Sequence, residues 1–315
     1  MNDSIAIIGS GALGCLFACK LASAGYAPVM LTDWQPAIEA IEKNGVRVRN
    51  ENDQEISARI EVVSDPKKVK PCGIALVLVK SWQTAAVADQ VKEFLTEDGV
   101  AFTLQNGLGN LEVLSTELGD HRAAAGICTL GSQVLSPGYV KQSGTGNVTL
   151  GNFNHAQALK IILNRSNIPT AIEENISGLL WQKAIANAAI NPLTAILSIP
   201  NGDLLSNSWA IKLMRKLIRE AEEIASLAGV TLPESNMTEY VLEIIRSTHG
   251  NISSMLQDLR NGRETEIDSI NGMVVKFGAE LGYSASYNQA ITLVVKSLVN
   301  SKKTEDFNGN SPKQY

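Results

Sequence analysis

A polar stripe runs through an apolar stretch in the second half of the chain. Lys183, Asn187 and Asn191 are four residues apart, so on an α-helix they share one face, while the residues around them are alanine and isoleucine. Burying amide and ammonium groups without partners is costly, and a polar ligand at this face would satisfy them. A purely structural role stays open for two of them. Lys183 can be a solvated lysine on a helix edge, and Asn191, followed by Pro192, can be the N-cap of a new helix.

Two further groups of polar residues lie downstream of this stripe. Ser253 and Ser254 stand before an apolar stretch with helical spacing, and either hydroxyl could cap that helix. Glu264, Glu266 and Asp268 are predicted to lie in the first turn of a later helix, where the helix dipole alone favours acids. For both groups a structural role therefore stands beside a role in ligand binding.

In the first half of the chain, polar residues end two apolar runs. Lys80 closes the run Ile74–Lys80, and Asn106 closes the run Val100–Asn106. Continuous apolar runs of this length are typical of strands that are covered on both faces. Because ligands bind at the carboxyl ends of such strands, both side chains are candidates for a binding site.

The amino-terminal residues carry a glycine pattern that is typical of dinucleotide binding. The strand-like run Ser4–Ile8 is followed by Gly9, Ser10, Gly11, Ala12, Leu13 and Gly14. A helical stretch then continues to Ala24, so the G-x-G-x-x-G spacing stands between a strand and a helix, which is the context the pattern needs. There the helix N-terminus can hold a pyrophosphate. A purely structural glycine-rich turn is the alternative.

Asp33 bears on the choice of dinucleotide. It closes the second predicted strand, Pro28–Asp33, 19 residues beyond Gly14, where an acid can accept hydrogen bonds from a ribose 2′-hydroxyl. A carboxylate would repel a 2′-phosphate, and the residues that follow offer no basic side chain. The position therefore favours NAD(H) over NADP(H), unless Asp33 is only a solvated loop acid.

The elements that must position these residues change character along the chain. The first half alternates strands with helices, and Ala123–Cys128 and Asn147–Gly151 are its weaker strand candidates. From about Leu179 the pattern is helical, with predicted helices at Ile211–Ala228, Met237–Arg246, Ile252–Leu259, Glu266–Leu281 and Gln289–Val299. We therefore expect an α/β Rossmann-type parallel-sheet domain over residues 1–172. We expect an all-α helical domain over 173–301 to follow, which would carry substrate binding and catalysis. A polar tail over 302–315 should end the chain.

Composition excludes several classes of protein. The 315 residues carry 27 basic and 32 acidic side chains, a net charge of −5 that argues against nucleic-acid binding. No apolar run approaches the ~20 residues that cross a bilayer, and the start of the chain lacks the basic region of a signal peptide. The four cysteines form no C-x-x-C pair and the three histidines are scattered, so no metal site is expected. A reducing cytoplasm is the expected location.

The chain resembles the ketopantoate reductases (2-dehydropantoate 2-reductases) over nearly its whole length. The resemblance rests on runs that occur in the family's order. They are Gly9–Gly14, Val79–Gln83, Gln105–Gly109, Trp181–Lys183 through Asn187 to Asn191–Ala195, Pro200–Gly202, and Ser253–Asp258 through Thr265–Asp268 to Ile270–Gly272. The resemblance implies reduction of ketopantoate to pantoate with NAD(P)H, a step toward pantothenate and coenzyme A.

The resemblance also implies roles for individual residues. Lys183 matches the family's catalytic lysine, which makes it the expected proton donor to the forming alkoxide. Glu266 matches an acid that contacts the cofactor and orders the site. Cofactor contacts are further implied for Lys80, Asn106 and Ser132, and substrate contacts for Asn106, Lys183, Asn187, Asn191, Asn201 and Ser254.

The sequence departs from the family at one position and leaves alternatives open. The family commonly has an arginine for the 2′-phosphate of NADPH where this chain has Asp33, so the resemblance implies NADPH while the local chemistry favours NADH. A reductase of another small 2-oxo or 3-hydroxy acid is the nearest alternative, and a non-catalytic dinucleotide-binding sensor is the second. Apolar helices in the second half allow a homodimer, but they could equally fill the protein's own core.

Overall fold

The computed structural model of the protein describes residues 4–307, which form two compact units. The first unit comprises residues up to 105 together with 110–176, and the second comprises 106–109 together with the residues from 177 onward. The sequence-based boundary between residues 172 and 173 lies slightly before this division. Nothing in the sequence indicated that residues 106–109 group with the second unit.

The first unit is built on an eight-stranded sheet. Its strands are β1 (Ile5–Ile8), β2 (Val29–Leu31), β5 (Glu61–Val63), β6 (Cys72–Val77), β7 (Leu95–Thr103), β8 (Ala123–Cys128), β11 (Val148–Gly151) and β12 (Thr170–Glu173). Across the sheet they stand in the order β12-β11-β8-β7-β6-β1-β2-β5. Neighbouring strands are parallel except for β8 and β11.

The order of these strands confirms the Rossmann-type α/β fold. The chain runs outward from β1 through β2 to β5, then returns to the other side of β1 and continues through β6, β7 and β8. Every residue of β1 and β6 is buried, which explains why both read as continuous apolar runs. The strand order reverses between β1 and β6, the place where such sheets bind ligands.

The first unit also contains a second, four-stranded sheet. Its strands are β3 (Val46–Arg49), β4 (Glu55–Ala58), β9 (Gly131–Ser136) and β10 (Tyr139–Ser143), in the order β4-β3-β10-β9. The sequence did not predict this sheet, because its strands are short and mostly polar or alternating. The helix after the glycine turn packs against all four strands as well as against β1 and β2, which is why it is buried over most of its length.

The helices of the first unit connect the strands of the parallel sheet. They are α1 (Ala12–Ser23), α2 (Gln35–Asn44), α3 (Thr84–Lys92), α4 (Asn110–Leu118) and α5 (Ala156–Arg165), with 3₁₀ turns at Pro66–Lys68, Ser81–Gln83 and Asp120–Arg122. The second unit contains α6 (Ile176–Leu197), α7 (Ser208–Leu227), α8 (Met237–Ser247), α9 (Ser254–Arg260), α10 (Asn271–Glu280) and α11 (Ser286–Phe307), with a 3₁₀ turn at Asn201–Ser206.

The apolar residues of the second unit fill its own core. Met214, Leu217, Ile218 and Ile224 of α7 are almost fully buried, together with Trp181 of α6 and Val241 of α8. The same spacing of apolar residues that predicted an amphipathic α7 therefore accounts for core packing. Within residues 4–307 no helix combines the length and the apolar character that crossing a membrane requires.

Two boundaries of the predicted helices differ from the structure by five residues or more. The helix expected at Glu266–Leu281 begins only at Asn271: the amide of Gly272 bonds to the carbonyl of Ile267, five residues earlier, which interrupts the helical pattern, and the carbonyl of Ser269 accepts the amide of Leu108 at 2.8 Å. The second error concerns the predicted tail, since residues 302–307 continue α11. The rest of that tail, residues 308–315, lies outside the described residues.

Candidate active site

The glycine turn joins β1 to α1 and is so tightly packed that two of its glycines leave no space for a side chain. Gly9 has a φ of +107°, a conformation that L side chains rarely adopt, and a Cβ there would lie 2.9 Å from the Val79 side chain. A Cβ on Gly14 would overlap the carbonyl oxygen of Gly9. The first glycine therefore permits the turn, and the third permits close packing of helix against strand.

The middle glycine leaves space for a ligand. Gly11 is the N-cap of α1, no side chain caps this helix, and a Cβ on Gly11 would meet no atom of the described residues within 4 Å. The first amides of a helix have no partner within the helix and can donate to an anion. An uncapped helix N-terminus beside open space fits the pyrophosphate of a dinucleotide.

A hydrogen bond between two side chains ties the glycine turn to the loop after β2. The hydroxyl groups of Ser10 and Thr32 share a hydrogen bond of 2.8 Å, and the backbone amide of Trp34 donates to Thr32 Oγ1 at 3.3 Å. Cys15 Sγ donates to the carbonyl of Ser10 at 3.2 Å, and burial raises the pKa of this thiol to about 12, so it keeps its proton. Asp33, between Thr32 and Trp34, is exposed to solvent.

Lys80 lies immediately before the 3₁₀ turn Ser81–Gln83, just beyond β6. Its backbone amide donates to Gln83 Oε1 at 3.2 Å, and its ammonium nitrogen is 5.9 Å from the centre of the Trp82 ring, within the range of a cation–π contact. Trp82 is half exposed. The carboxyl end of β6 thus presents a lysine and an indole at the surface of the first unit.

Buried Gln105 fixes the backbone that carries Lys80. Gln105 Nε2 donates to the carbonyl of Val79 at 2.9 Å and to the hydroxyl of Thr84 at 2.9 Å, while Thr103 Oγ1 donates to Gln105 Oε1 at 2.9 Å. The ends of β6 and β7 are therefore tied by one polar network. Gln105 lies within a run that resembles the family, but the sequence predicted no role for it.

Ser132 lies on β9, an edge strand of the small sheet against which α1 packs. Its hydroxyl oxygen is buried and has no hydrogen-bond partner among the described residues. The resemblance implies a cofactor contact of the backbone at this position, which the side chain does not test, so the contact stays a prediction.

The polar stripe lies on α6, as the spacing predicted. Lys183 and Asn187 are partly exposed, and Asn191 is buried, while the alanine and isoleucine residues around them are buried. Within residues 4–307, the side-chain amides of Asn187 and Asn191 make no hydrogen bond. The helix continues through Pro192, so the interpretation of Asn191 as an N-cap is wrong. Two amide groups with unused donors and acceptors suit a polar ligand.

Ser253 and Ser254 have different surroundings. Ser253 is the N-cap of α9: its hydroxyl accepts the amide of Leu256 at 3.2 Å and shares a 2.7 Å hydrogen bond with Thr194 of α6. Ser254, the first residue of the helix, is exposed. The capping role therefore belongs to Ser253 and leaves Ser254 as the candidate ligand contact.

Glu266 and Asn106 come together in the second unit. Glu266 is buried, and its carboxylate accepts a hydrogen bond of 3.4 Å from Asn106 Nδ2. Gly107, with a φ of +83°, lets the following loop lie so close to the carbonyl of Ser269 that a Cβ would overlap it. Two residues that are 160 positions apart in the sequence, and that both carry a predicted role, are thus in direct contact.

Asn201 is tied to a different part of the second unit. Its Nδ2 donates to Thr248 Oγ1 at 2.9 Å, and its backbone amide donates to the carbonyl of Asn251 at 3.0 Å. Its Oδ1 is buried without a partner among the described residues. None of these hydrogen bonds runs to α6, so its substrate contact stays a prediction.

Comparison with known proteins places both units in one family. The family described as "Ketopantoate reductase PanE/ApbA" matches residues 5–155, and its C-terminal counterpart matches residues 175–299. A 2-dehydropantoate 2-reductase of Pyrococcus horikoshii is 32% identical over 298 residues, which cover 93% of this chain and 96% of that protein.

Solved structures agree with this assignment. A PanE/ApbA family ketopantoate reductase from Ralstonia eutropha JMP134 is 29% identical, with a TM-score of 0.88 over 95% of this chain and 99% of that one. D-mandelate dehydrogenase, solved with NADH and anilino(oxo)acetate, is 24% identical with a TM-score of 0.89 over the same shares and is similar in fold. The chain therefore belongs to the ketopantoate reductase family.

Proposed function

We propose that this protein is a 2-dehydropantoate 2-reductase, which reduces the keto group of 2-dehydropantoate to the hydroxyl group of pantoate at the expense of NADH or NADPH. The observation that carries this proposal is the family match, which extends through both units and is joined by a Pyrococcus relative of that name. The product lies on the route to pantothenate and coenzyme A.

The reaction needs a hydride at the keto carbon and a proton on the keto oxygen. A bound dihydronicotinamide supplies the hydride. Lys183 donates the proton: its N–H bond breaks as the O–H bond of the alcohol forms, and its positive charge stabilises the oxygen while negative charge develops there. Such a positioned acid is worth roughly 10²–10⁴ in rate.

Side-chain amides and a hydroxyl hold the substrate. The side-chain amides of Asn187 and Asn191 can donate hydrogen bonds to the carboxylate of the substrate and accept one from its hydroxyl group. The Ser254 hydroxyl makes one further hydrogen bond to the substrate. Asn106 is a further substrate contact, and its amide is oriented by the hydrogen bond to the Glu266 carboxylate. The substrate contact of Asn201 is proposed from the family pattern alone. Holding the keto acid in one orientation lowers the entropic cost of reaching the transition state.

The first unit supplies the dinucleotide site. The run from Gly9 to Gly14 receives the pyrophosphate at the N-terminus of α1, where Gly11 leaves space. Asp33 accepts the ribose 2′-hydroxyl, which gives the enzyme a preference for NADH. Lys80 and the Ser132 backbone make further cofactor contacts, and for Glu266 a cofactor contact is carried over from the family pattern.

Initial rates with a panel of 2-oxo acids, each measured with NADH and with NADPH, test the proposal. We expect the highest kcat/KM for 2-dehydropantoate with NADH. A higher value for another 2-oxo acid would transfer the assignment to a different reductase. Dinucleotide binding without turnover of any acid would instead identify a binding module.

A further inference from the structure

Pro192 lies in the interior of α6, a helix of 22 residues. Proline has no backbone N–H, so the carbonyl four residues earlier loses its helical partner. In α6 that carbonyl belongs to Ala188, which is fully buried. A buried carbonyl without a donor would destabilise the helix at this turn.

Asn271, the first residue of α10, supplies the missing donor. Its Nδ2 lies 3.0 Å from the carbonyl oxygen of Ala188, and the side chain is fully buried. The same nitrogen donates to Asn288 Oδ1 at 2.9 Å, so both N–H groups of the amide have acceptors. A side chain from another helix thus occupies the place of the backbone amide that proline lacks.

The Asn271 amide is itself held in place. Asn288 Nδ2 donates to Glu220 Oε2 at 2.8 Å and to the carbonyl of Leu217 at 3.2 Å, and the backbone amide of Asn288 donates to the same carboxylate oxygen at 2.9 Å. Asn288 is fully buried, and Glu220 is nearly so. The network joins α6, α7, α10 and α11 and fixes the donor in one orientation.

The turn of α6 from Asn187 to Pro192 includes the two asparagines that are proposed to bind the substrate. Ala188 directly follows Asn187, and Asn191 directly precedes Pro192. We propose that Asn271 is a positioning residue: its amide replaces the backbone N–H missing at Pro192 and holds the turn of α6 that presents Asn187 and Asn191 to the keto acid. This inference rests on the proposed function of those two asparagines.

A double-mutant cycle in urea tests the replacement of the amide. Asn271→Leu removes the donor at similar volume and should raise the unfolding equilibrium constant roughly tenfold or more. In a Pro192→Ala background the restored backbone amide can bond to Ala188, so the same change should cost several-fold less. Thr170→Val, which removes a buried hydroxyl that donates to the carbonyl of Ile168 in the first unit, is the control outside this network and should cost the same in both backgrounds.

Substrate kinetics test the positioning role. Asn271→Leu should raise KM for the 2-oxo acid roughly tenfold, with the NADH dissociation constant unchanged within about twofold, and adding Pro192→Ala should recover part of the loss. The inference would be overturned if Asn271→Leu lowered stability equally in the parent and in the Pro192→Ala background. It would also be overturned if the two changes were coupled in stability but Asn271→Leu left KM unchanged. A parent protein that reduces no 2-oxo acid would overturn the proposed function and the positioning role with it, while the urea cycle would still report whether Asn271 replaces the amide.

Discussion

The hydroxyl groups of Ser10 and Thr32 lie 2.8 Å apart, and both side chains are buried. Ser10 belongs to the glycine turn, and Thr32 directly precedes Asp33. The Ser10 side chain, one of the predicted cofactor contacts, therefore uses its hydroxyl to bond the loop that carries the candidate ribose-binding acid. This hydrogen bond fixes that loop relative to the turn where the pyrophosphate is proposed to bind.

Removing this hydrogen bond should weaken dinucleotide binding. Thr32→Val keeps the shape of the side chain but loses the hydroxyl, and with it both the bond to Ser10 and the bond from the Trp34 amide. We expect the dissociation constant for NADH to rise roughly fivefold, since the Asp33 loop is no longer fixed. Quenching of tryptophan fluorescence, with Trp34 in the same loop, would measure it. Thr32→Ser retains the hydroxyl and should bind like the parent, and equal affinity of both variants would refute the link.

Asp33 should set the choice between the two dinucleotides. Asp33→Arg replaces a group that repels a 2′-phosphate by one that pairs with it, so the ratio of kcat/KM for NADH to that for NADPH should fall at least about tenfold. The side chain is exposed, and folding should not change. Glu93→Arg, an exposed site at the end of α3 with the same change in charge, is the control. An unaltered ratio would remove Asp33 from cofactor selection.

Lys183 should be needed for turnover but not for cofactor binding. Lys183→Ala should lower kcat by about 10²–10⁴ because the alkoxide loses its proton donor, while NADH affinity stays near that of the parent. Steady-state rates and fluorescence titration together separate the two effects. Lys276→Ala, at an exposed lysine of α10 near Glu280, should leave both unchanged. Parent-like turnover by the Lys183 variant would show that another group donates the proton.

The adjacent serines Ser253 and Ser254 should respond in opposite ways. Ser253→Ala removes the N-cap of α9 and the hydrogen bond to Thr194, which should lower the free energy of unfolding by about 1 kcal/mol or more. Ser254→Ala should leave stability unchanged and raise KM for the keto acid several-fold. Urea titration and initial rates on the two variants make the comparison, and a reversed pattern would exchange their roles.

The sequence predicted the parts of the fold that local pattern determines. Continuous apolar runs located β1, most of β6 and the last four residues of β7, and the glycine spacing located the turn before α1. The small sheet was missed because its strands are short and mostly polar, and because the pairing that joins its two halves, Val46–Arg49 with Tyr139–Ser143, spans some 90 residues.

The candidate site shows the same limit. The four-residue spacing predicted that Lys183, Asn187 and Asn191 share a helix face, because a helix repeats regularly. Nothing in the spacing indicates that Asn271 bonds to Ala188, or that the Ser269 carbonyl accepts the Leu108 amide. Such contacts are decided by packing between distant segments.

The grouping of residues 106–109 with the second unit has a consequence for dissecting the protein. The backbone passes between the units three times, after residues 105, 109 and 176, and not once. Leu108 is buried among residues of the second unit such as Trp181 and Met214. A chain truncated after residue 176 would lack the packing partners of this leucine, which would become exposed. Neither unit can therefore be produced as one continuous segment of the chain without exposing apolar surface.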